Sequence, residues 1–210
     1  MDEIEHEDHR HSASIETTLD FLNTAELDGS GGPVEHLSTL NDASAWLVEH
    51  GLLYPVEARP LALANITRQD HLLAHMRAAR AALREVVESI VAGRPATASA
   101  VATVNTLLRA HSVVELVLTD GALEARHRHL GDPLEDALAQ LAAPLVEAVA
   151  VGETVRLRIC ANDGCRWVFE DTSPTGRRRW CSMASCGNRA KAARHRARQR
   201  GQLPQVPIKP

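Results

Sequence analysis

Residues 156–200 read RLRICANDGCRWVFEDTSPTGRRRWCSMASCGNRAKAARHRARQR and contain every cysteine of this 210-residue chain. The thiols form two C-x4-C pairs separated by fifteen residues. The four members are Cys160, Cys165, Cys181 and Cys186. Two close pairs of soft ligands on facing turns are the donor set of a tetrahedral Zn²⁺ ion, so the sequence predicts one structural zinc site. The alternatives are disulfides, which the lack of a signal peptide disfavours, and scattered buried thiols.

The residues around the cysteines predict a small module of strands and a helix. Residues 156–159 and 166–169 alternate polar and apolar side chains, as half-buried strands do, and residues 162–164 (NDG) between them signal a turn. Ser182 is positioned to cap a helix over residues 183–200. We expect a treble-clef-like zinc module whose folding depends on the metal. Its small core is expected to consist of Trp167, Phe169 and Trp180.

Charge is distributed unevenly along the chain. Residues 151–210 carry 13 Lys and Arg against 4 Asp and Glu, a net charge of +9, whereas residues 1–150 carry 10 against 23, a net charge of −13. Nine basic residues and no acid lie between Arg177 and Arg200. On the predicted helix, a narrow stripe of alanines has cationic residues on both flanks, which suits a groove of nucleic acid.

The sequence therefore predicts a DNA-binding protein in which arginines contact phosphates and one or two read guanine edges. The expected contact residues are Arg177, Arg178, Arg179, Arg189, Lys191, Arg194, Arg196 and Arg198. Two alternatives remain open. One is an RNA-binding module, since structured RNA also binds arginine-rich helices. The other is a protein-interaction module in which zinc is purely structural and the basic segment docks on an acidic surface or stays solvated.

Two motifs carry a family resemblance. Cys186-Gly187-Asn188-Arg189, preceded by Trp180-Cys181-Ser182-Met183, resembles the signature of the CGNR zinc-finger family. Residues 19–24 (LDFLNT) are similar to the phrase that opens the ABATE domain, which usually precedes such fingers. The resemblance implies four-cysteine zinc binding and a DNA-binding role in a stress-induced bacterial transcription regulator.

The first 150 residues predict a mainly helical domain with one hairpin, which makes the whole chain α+β. Apolar periodicity places helices over residues 37–53, 67–92, 97–110 and 132–149. Asn41 or Asp42 is the expected cap of the first, and Thr67 of the second. Asp120-Gly121 signals a hairpin between residues 113–118 and 123–129. The expected domains are a disordered acidic, His-containing leader (1–14), an ABATE-like domain (15–152), a zinc finger (153–203) and a tail (204–210).

Other features predict neither catalysis nor a membrane anchor. Four cysteines would close the zinc shell, whereas catalytic zinc keeps an open position, so we expect no enzyme activity. His71 and His75 stand four apart but are interpreted as an exposed helical pair, and His6, His9 and His11 as part of the leader. No membrane span is predicted, and the thiols favour the cytoplasm, with nucleoid association if DNA is bound. Homodimerisation, an effector and a protein partner of the N-terminal domain are left open.

Overall fold

The computed structural model describes residues 13–110, 112–119, 121–129 and 131–200. These residues separate into two compact units. The helical unit comprises residues 13–25 and 35–155, and the finger unit comprises Glu26–Val34 together with residues 156–200. The segment Glu26–Val34, from the N-terminal part of the chain, therefore belongs to the C-terminal unit. The sequence analysis did not predict this placement.

The described residues form an α+β arrangement of helices and short hairpins, as expected. The helices are α1 (Ile15–Asn23), α2 (Leu40–Glu49), α3 (Pro55–Ala62), α4 (Ile66–Ala92), α5 (Ala98–Leu107), α6 (Pro133–Val151) and α7 (Asn188–Gln199). The strands are β1 (Ala25–Leu27), β2 (Pro33–Glu35), β3 (Ser112–Thr119), β4 (Ala122–His129), β5 (Leu157–Ile159) and β6 (Val168–Glu170). They pair consecutively into two-stranded sheets, and the β3–β4 and β5–β6 pairs are antiparallel. Among the described helices, none is long and apolar enough to cross a membrane.

The core of the helical unit is built on the long helix α4, which contacts α1, α2, α5 and α6. Its central residue Leu83 is fully buried, as are Phe21 of α1, Leu47 of α2 and Leu138 of α6. Each such side chain stabilises the fold by about 1.5–3 kcal/mol relative to an exposed one. The apolar periodicity of the sequence is thus realised as one continuous core.

Helix starts differ from the sequence prediction by one to three residues. Thr39, rather than Asn41 or Asp42, caps α2: its hydroxyl accepts the N–H of Asp42 at 3.1 Å, and the Asp42 carboxylate accepts the N–H of Thr39 at 2.9 Å. Asn65 rather than Thr67 caps α4 through the N–H of Arg68. In both cases the polar residue just upstream has the extended backbone that lets its side chain turn back onto the first turn.

The remaining comparisons with the sequence concern α6, α3 and the histidines. Helix α6 continues through Pro144 without being divided there, and α3, which begins at Pro55, was not predicted. Of the histidine pair expected to be exposed, His71 is exposed but His75 is half-buried, with its Nε2 3.1 Å from the Glu135 carboxylate. His6, His9 and His11, the leader up to residue 12 and the tail lie outside the described residues.

An ion pair between the buried Arg80 and the half-buried Glu35 holds residue 35, at the end of β2, to α4. The side chain of Arg80 is only 7% exposed. Its guanidinium donates to Thr24 Oγ1 at 2.7 Å and to both carboxylate oxygens of Glu35. Burial alone would raise the pKa of Glu35, but the bonds from Arg80 and the N–H of Leu37 outweigh it and lower the pKa. Glu35 is therefore ionised and anchors the chain where it re-enters the helical unit.

The interior of the finger unit is small. Leu157 and Val168 on the two strands are buried together with Cys160, Cys186 and Asp171. The three aromatic residues expected to form the core, Trp167, Phe169 and Trp180, are only half-buried. The interior therefore consists of one apolar pair, two thiols and a carboxylate, which is too little apolar surface to fold a unit of this size by burial alone.

Candidate metal centre

The first cysteine pair lies on a tight turn between β5 and β6. The N–H of Cys160 donates to the carbonyl of Trp167 at 2.8 Å, which closes the strand pair. Asn162 organises the turn, because its carbonyl accepts the N–H groups of Cys165 at 2.8 Å and Arg166 at 3.1 Å. Arg166 has a left-handed backbone (φ 59), so the chain reverses sharply after Cys165. The turn brings the two thiols of the pair to one side.

The second pair lies at the start of the C-terminal helix. Ser182 caps it by accepting the N–H of Ser185 at 3.3 Å, as the sequence predicted. A single π-helical turn (Met183–Gly187) carries Cys186 and leads directly into α7. The N–H of Ala161 donates to the carbonyl of Arg179 at 2.8 Å, which joins this segment to the first turn. The two cysteine pairs are thereby held face to face.

The four sulfur atoms form one cluster. All lie within 4.8 Å of one another, and the Cys165–Cys181 and Cys181–Cys186 separations are 3.7 and 3.8 Å. A tetrahedron of thiolates with Zn–S bonds of about 2.3 Å has S···S edges of about 3.8 Å. Both the donor type and the spacing of the sulfurs therefore fit a single tetrahedral zinc ion, with Cys160 and Cys186 buried and the other two half-buried.

The surroundings of three of the thiols shift their pKa values in different directions. Burial raises the pKa of Cys165 to about 11 and, together with the neighbouring thiol of Cys160, also raises that of Cys181. Burial would raise the pKa of Cys186 as well, but the amide of Asn162 donates to its sulfur at 3.4 Å and, with the adjacent thiols, lowers its pKa to about 7. Asn162 is thus a hydrogen-bonding support of the cluster, one that spacing alone did not reveal.

A buried aspartate holds the loop between the two pairs. The carboxylate of Asp171 accepts the hydroxyl of Ser173 at 2.6 Å, the N–H of Arg178 at 2.7 Å and the N–H of Ser173 at 3.1 Å. Burial would raise the pKa of Asp171, but these bonds outweigh it and lower the pKa. Arg156 donates to the carbonyls of Asp171 at 3.1 Å and Ser173 at 2.8 Å, and Arg158 donates to that of Gly176 at 3.0 Å. These arginines hold the loop and are not in the predicted contact set.

The predicted contact residues fall into two groups. Arg178 is half-buried: its guanidinium donates to the carbonyl of Cys181 and lies 5.0 Å from the ring centroid of Phe169. It therefore braces the third cysteine. The other seven side chains are exposed: Arg177, Arg179, Arg189, Lys191, Arg194, Arg196 and Arg198. Helix α7 has no buried residue, and no ion pair found among the described residues involves it.

The N-terminal segment Glu26–Val34, named here the acidic loop, packs on the finger. It contains Glu26 and Asp28 and no Lys or Arg. The indole N–H of Trp167 donates to the carboxylate of Glu26. Gly164 of the cysteine turn approaches so closely that a Cβ there would lie 2.5 Å from the carbonyl oxygen of Gly29. Only glycine at position 164 permits this contact.

The acidic loop has a defined internal structure. Asp28 Oδ1 accepts the N–H of Ser30 at 2.8 Å, its hydroxyl at 2.6 Å and the N–H of Gly32 at 3.0 Å. These bonds, with the Ser30 hydroxyl contributing most, lower the pKa of Asp28 and keep it ionised at neutral pH. Gly29 has φ 85, and a Cβ added there would collide with the guanidinium of Arg189 on α7. The loop therefore lies directly against the start of the basic helix.

A pocket of about 420 Å³ lies between the acidic loop and the finger. Its lining combines the two loop carboxylates, the Trp167 indole, the Arg189 guanidinium and three of the cysteines, Cys165, Cys181 and Cys186. The metal centre consequently has an anionic rim contributed by the N-terminal part of the chain, with one arginine at its edge.

Comparison with known families agrees with both sequence motifs. Residues 156–199 match the CGNR zinc finger, and residues 16–152 match the ABATE family, described as a putative stress-induced transcription regulator. No curated protein matches the chain at a significant level. The ABATE match covers more than half of the chain, so the protein belongs to the ABATE family and ends in a CGNR zinc finger. Both descriptions concern regulation and metal binding rather than a reaction.

Proposed function

We propose that this ABATE-family chain is a zinc-dependent DNA-binding transcription regulator whose finger binds one structural Zn²⁺ through Cys160, Cys165, Cys181 and Cys186. Zinc would supply much of the folding free energy that the small finger core lacks, on the order of 10 kcal/mol for such sites. Four thiolates leave no open coordination position, which supports a structural role and argues against catalysis. We further propose a treble-clef-like arrangement of hairpin and helix, and a cytoplasmic, nucleoid-associated location.

One observation carries the DNA-binding proposal: the exposed, unburied cationic surface of α7. Its cationic side chains are exposed, and no ion pair found among the described residues involves them. The five Lys and Arg side chains of α7 have no acidic residue among them in the sequence of the helix. Their mutual repulsion destabilises the helix, and an anion bound along it would relieve that repulsion. Together with Arg177 and Arg179, α7 offers seven exposed cations for phosphates. Arg178 is proposed not to contact DNA itself but to hold the Cys181 segment in place.

The test is binding of the zinc-loaded full chain to random duplex DNA across a salt series. Five to eight neutralised phosphates give a slope of log affinity against log salt of about −4 to −7. A parallel sample treated with a chelator is expected to lose binding, because the finger presents α7 only when folded. Absence of binding at low salt would remove the proposal.

RNA remains the second candidate, because the same exposed arginine helix would contact structured RNA. The two are separated by measuring affinity for a duplex DNA and an RNA hairpin of equal charge at one salt concentration. Stronger binding to duplex DNA supports the proposal, and stronger binding to the hairpin replaces it with an RNA-binding function. If neither binds, the protein-interaction alternative is tested by pull-down with α7 as the bait surface.

A further inference from the structure

The flanks of α7 differ in what lies beside them. At 100° per residue, Lys191, Arg194 and Arg198 fall within an arc of about 60°, here called the open flank. The loop flank, on the opposite side of the helix, consists of Arg189, Arg196 and Arg200. All six side chains are exposed, so sequence and exposure alone do not distinguish the two flanks.

The two flanks differ because the acidic loop lies against Arg189, the first residue of the loop flank. The backbone of Gly29 lies against the Arg189 guanidinium. Glu26 and Asp28 line the same pocket as Arg189, together with three cysteines. Four thiolates around one Zn²⁺ carry a net charge of −2, and the two carboxylates add to it. A phosphate approaching Arg189 therefore meets an excess of negative charge at close range.

The loop is fixed in this position rather than resting on the surface. Glu26 accepts the indole N–H of Trp167, and Gly164 contacts the backbone of Gly29 directly. Three hydrogen bonds to Asp28 stiffen the turn. Moving the loop away would break these contacts, so in the folded finger the loop stays against Arg189.

We propose that the finger contacts nucleic acid through the open flank of α7, Lys191, Arg194 and Arg198, and that the acidic loop excludes phosphates from Arg189. The inference rests on the proposed function and specifies which side of the helix performs it. The partner is a phosphate backbone, recognised by charge. The ABATE part of the chain thereby takes part in the interface by setting its orientation and not by contacting the nucleic acid.

Two triple variants of the zinc-loaded full chain test the assignment. K191A/R194A/R198A and R189A/R196A/R200A remove the same charge from exposed positions of α7 and its C-cap residue Arg200, and alanine favours the helical state. The open-flank variant is expected to lose about 100-fold in affinity for duplex DNA at 0.1 M salt, and its salt slope to fall in magnitude by about 3. The loop-flank variant is expected to lose less than about tenfold.

A second pair of variants tests the role of the loop. E26Q/D28N removes both carboxylates beside Arg189 and is expected to bind several-fold more tightly, with the salt slope steeper by about 1 as Arg189 gains a phosphate. E49Q/E147Q makes the same charge change at exposed positions of α2 and α6 and is the matched control. An equal gain in both would show a general charge effect and overturn the shielding role.

The outcomes separate this inference from the function on which it rests. If the wild-type chain binds no nucleic acid, the proposed function fails. If it binds and the two triple variants weaken equally, only the flank assignment fails. Zinc content, measured for every variant, establishes that the finger is folded, and a variant without zinc is replaced by the corresponding single substitutions at Arg194 and Arg196.

Discussion

The helical unit and the finger unit are stabilised in different ways. In the first, α4 and its neighbours bury a continuous set of leucines, and helix starts are capped by Thr39 and Asn65. In the second, the buried interior is two aliphatic side chains, two thiols and Asp171. Apolar burial suffices where many side chains share one core. The finger has hydrogen bonds from side chains to backbone carbonyls instead and, on the proposed function, would depend on a metal as well. The difference predicts different responses to the same kind of change.

Removal of one metal ligand should have the largest effect and should act on the finger alone. Cys186→Ser is expected to abolish zinc retention and unfold the finger, since the metal contributes on the order of 10 kcal/mol to such modules. The measurements are zinc content and tryptophan fluorescence, because Trp167 and Trp180 lie in the finger and Trp46 in the helical unit. A variant that keeps one zinc per chain would show that the thiol cluster is not the metal site.

A cavity in the helical core should produce the reverse pattern. Leu83→Ala is expected to lower the free energy of unfolding of the helical unit by about 2–5 kcal/mol, since Leu83 is fully buried. Zinc affinity should not change. The control is Leu63→Ala, because Leu63 is 76% exposed and its loss should cost less than about 0.5 kcal/mol. Chemical denaturation followed by circular dichroism measures both; equal losses would contradict the core assignment.

The Glu35–Arg80 ion pair should make the stability of the helical unit depend on pH. Because the pKa of Glu35 is lowered on folding, its stabilising contribution is present above the unfolded-state value of 4.5 and disappears as the pH falls through the lower folded value. Glu35→Gln should destabilise the helical unit at pH 7 by about 3 kcal/mol, because Arg80 is left buried without its counter-charge. The loss should shrink when unfolding is measured toward pH 3. A difference between the two proteins that does not depend on pH would refute this account.

The smallest expected effect concerns the support of the metal centre. Asn162→Ala removes the amide that donates to the Cys186 sulfur and should weaken zinc binding by about tenfold, in the range found for residues that orient metal ligands. Competition with a chromophoric chelator measures it. Asp163→Ala changes the next residue of the same turn and serves as control. Equal weakening in both variants would assign the effect to the turn as a whole.

Local sequence signals predicted most of the elements. Helical periodicity located α4, α5 and α6, and the Asp-Gly dipeptide located the β3–β4 hairpin. Helix α3 was missed because its eight residues include two prolines, Pro55 and Pro60, and only Leu61 is buried. The helix caps were predicted at the wrong residues because several polar residues near a helix start can cap it, and the backbone conformation selects among them.

The cysteine cluster was predictable because its members are defined by residue type and spacing. Cysteine is rare in this chain and all four copies fall within 27 residues, so the donor set could be identified without the fold. The prediction of an aromatic core was wrong, because the burial of Trp167 and Trp180 depends on what packs around them. Asn162 and Asp171 are common turn residues, and nothing in their local sequence distinguishes a hydrogen-bonding support from a solvated loop.

The sequence by itself determined the cysteine cluster, the basic helix and the family, since each depends on residue types at short separations. Only the tertiary structure decided that Glu26–Val34 belongs to the finger, that Arg178 holds the Cys181 carbonyl and that Arg189 lines one pocket with Glu26 and Asp28. These contacts join residues as far apart in sequence as Glu26 and Trp167. Local propensities do not encode such pairs, because they form only when the folded chain brings distant segments together.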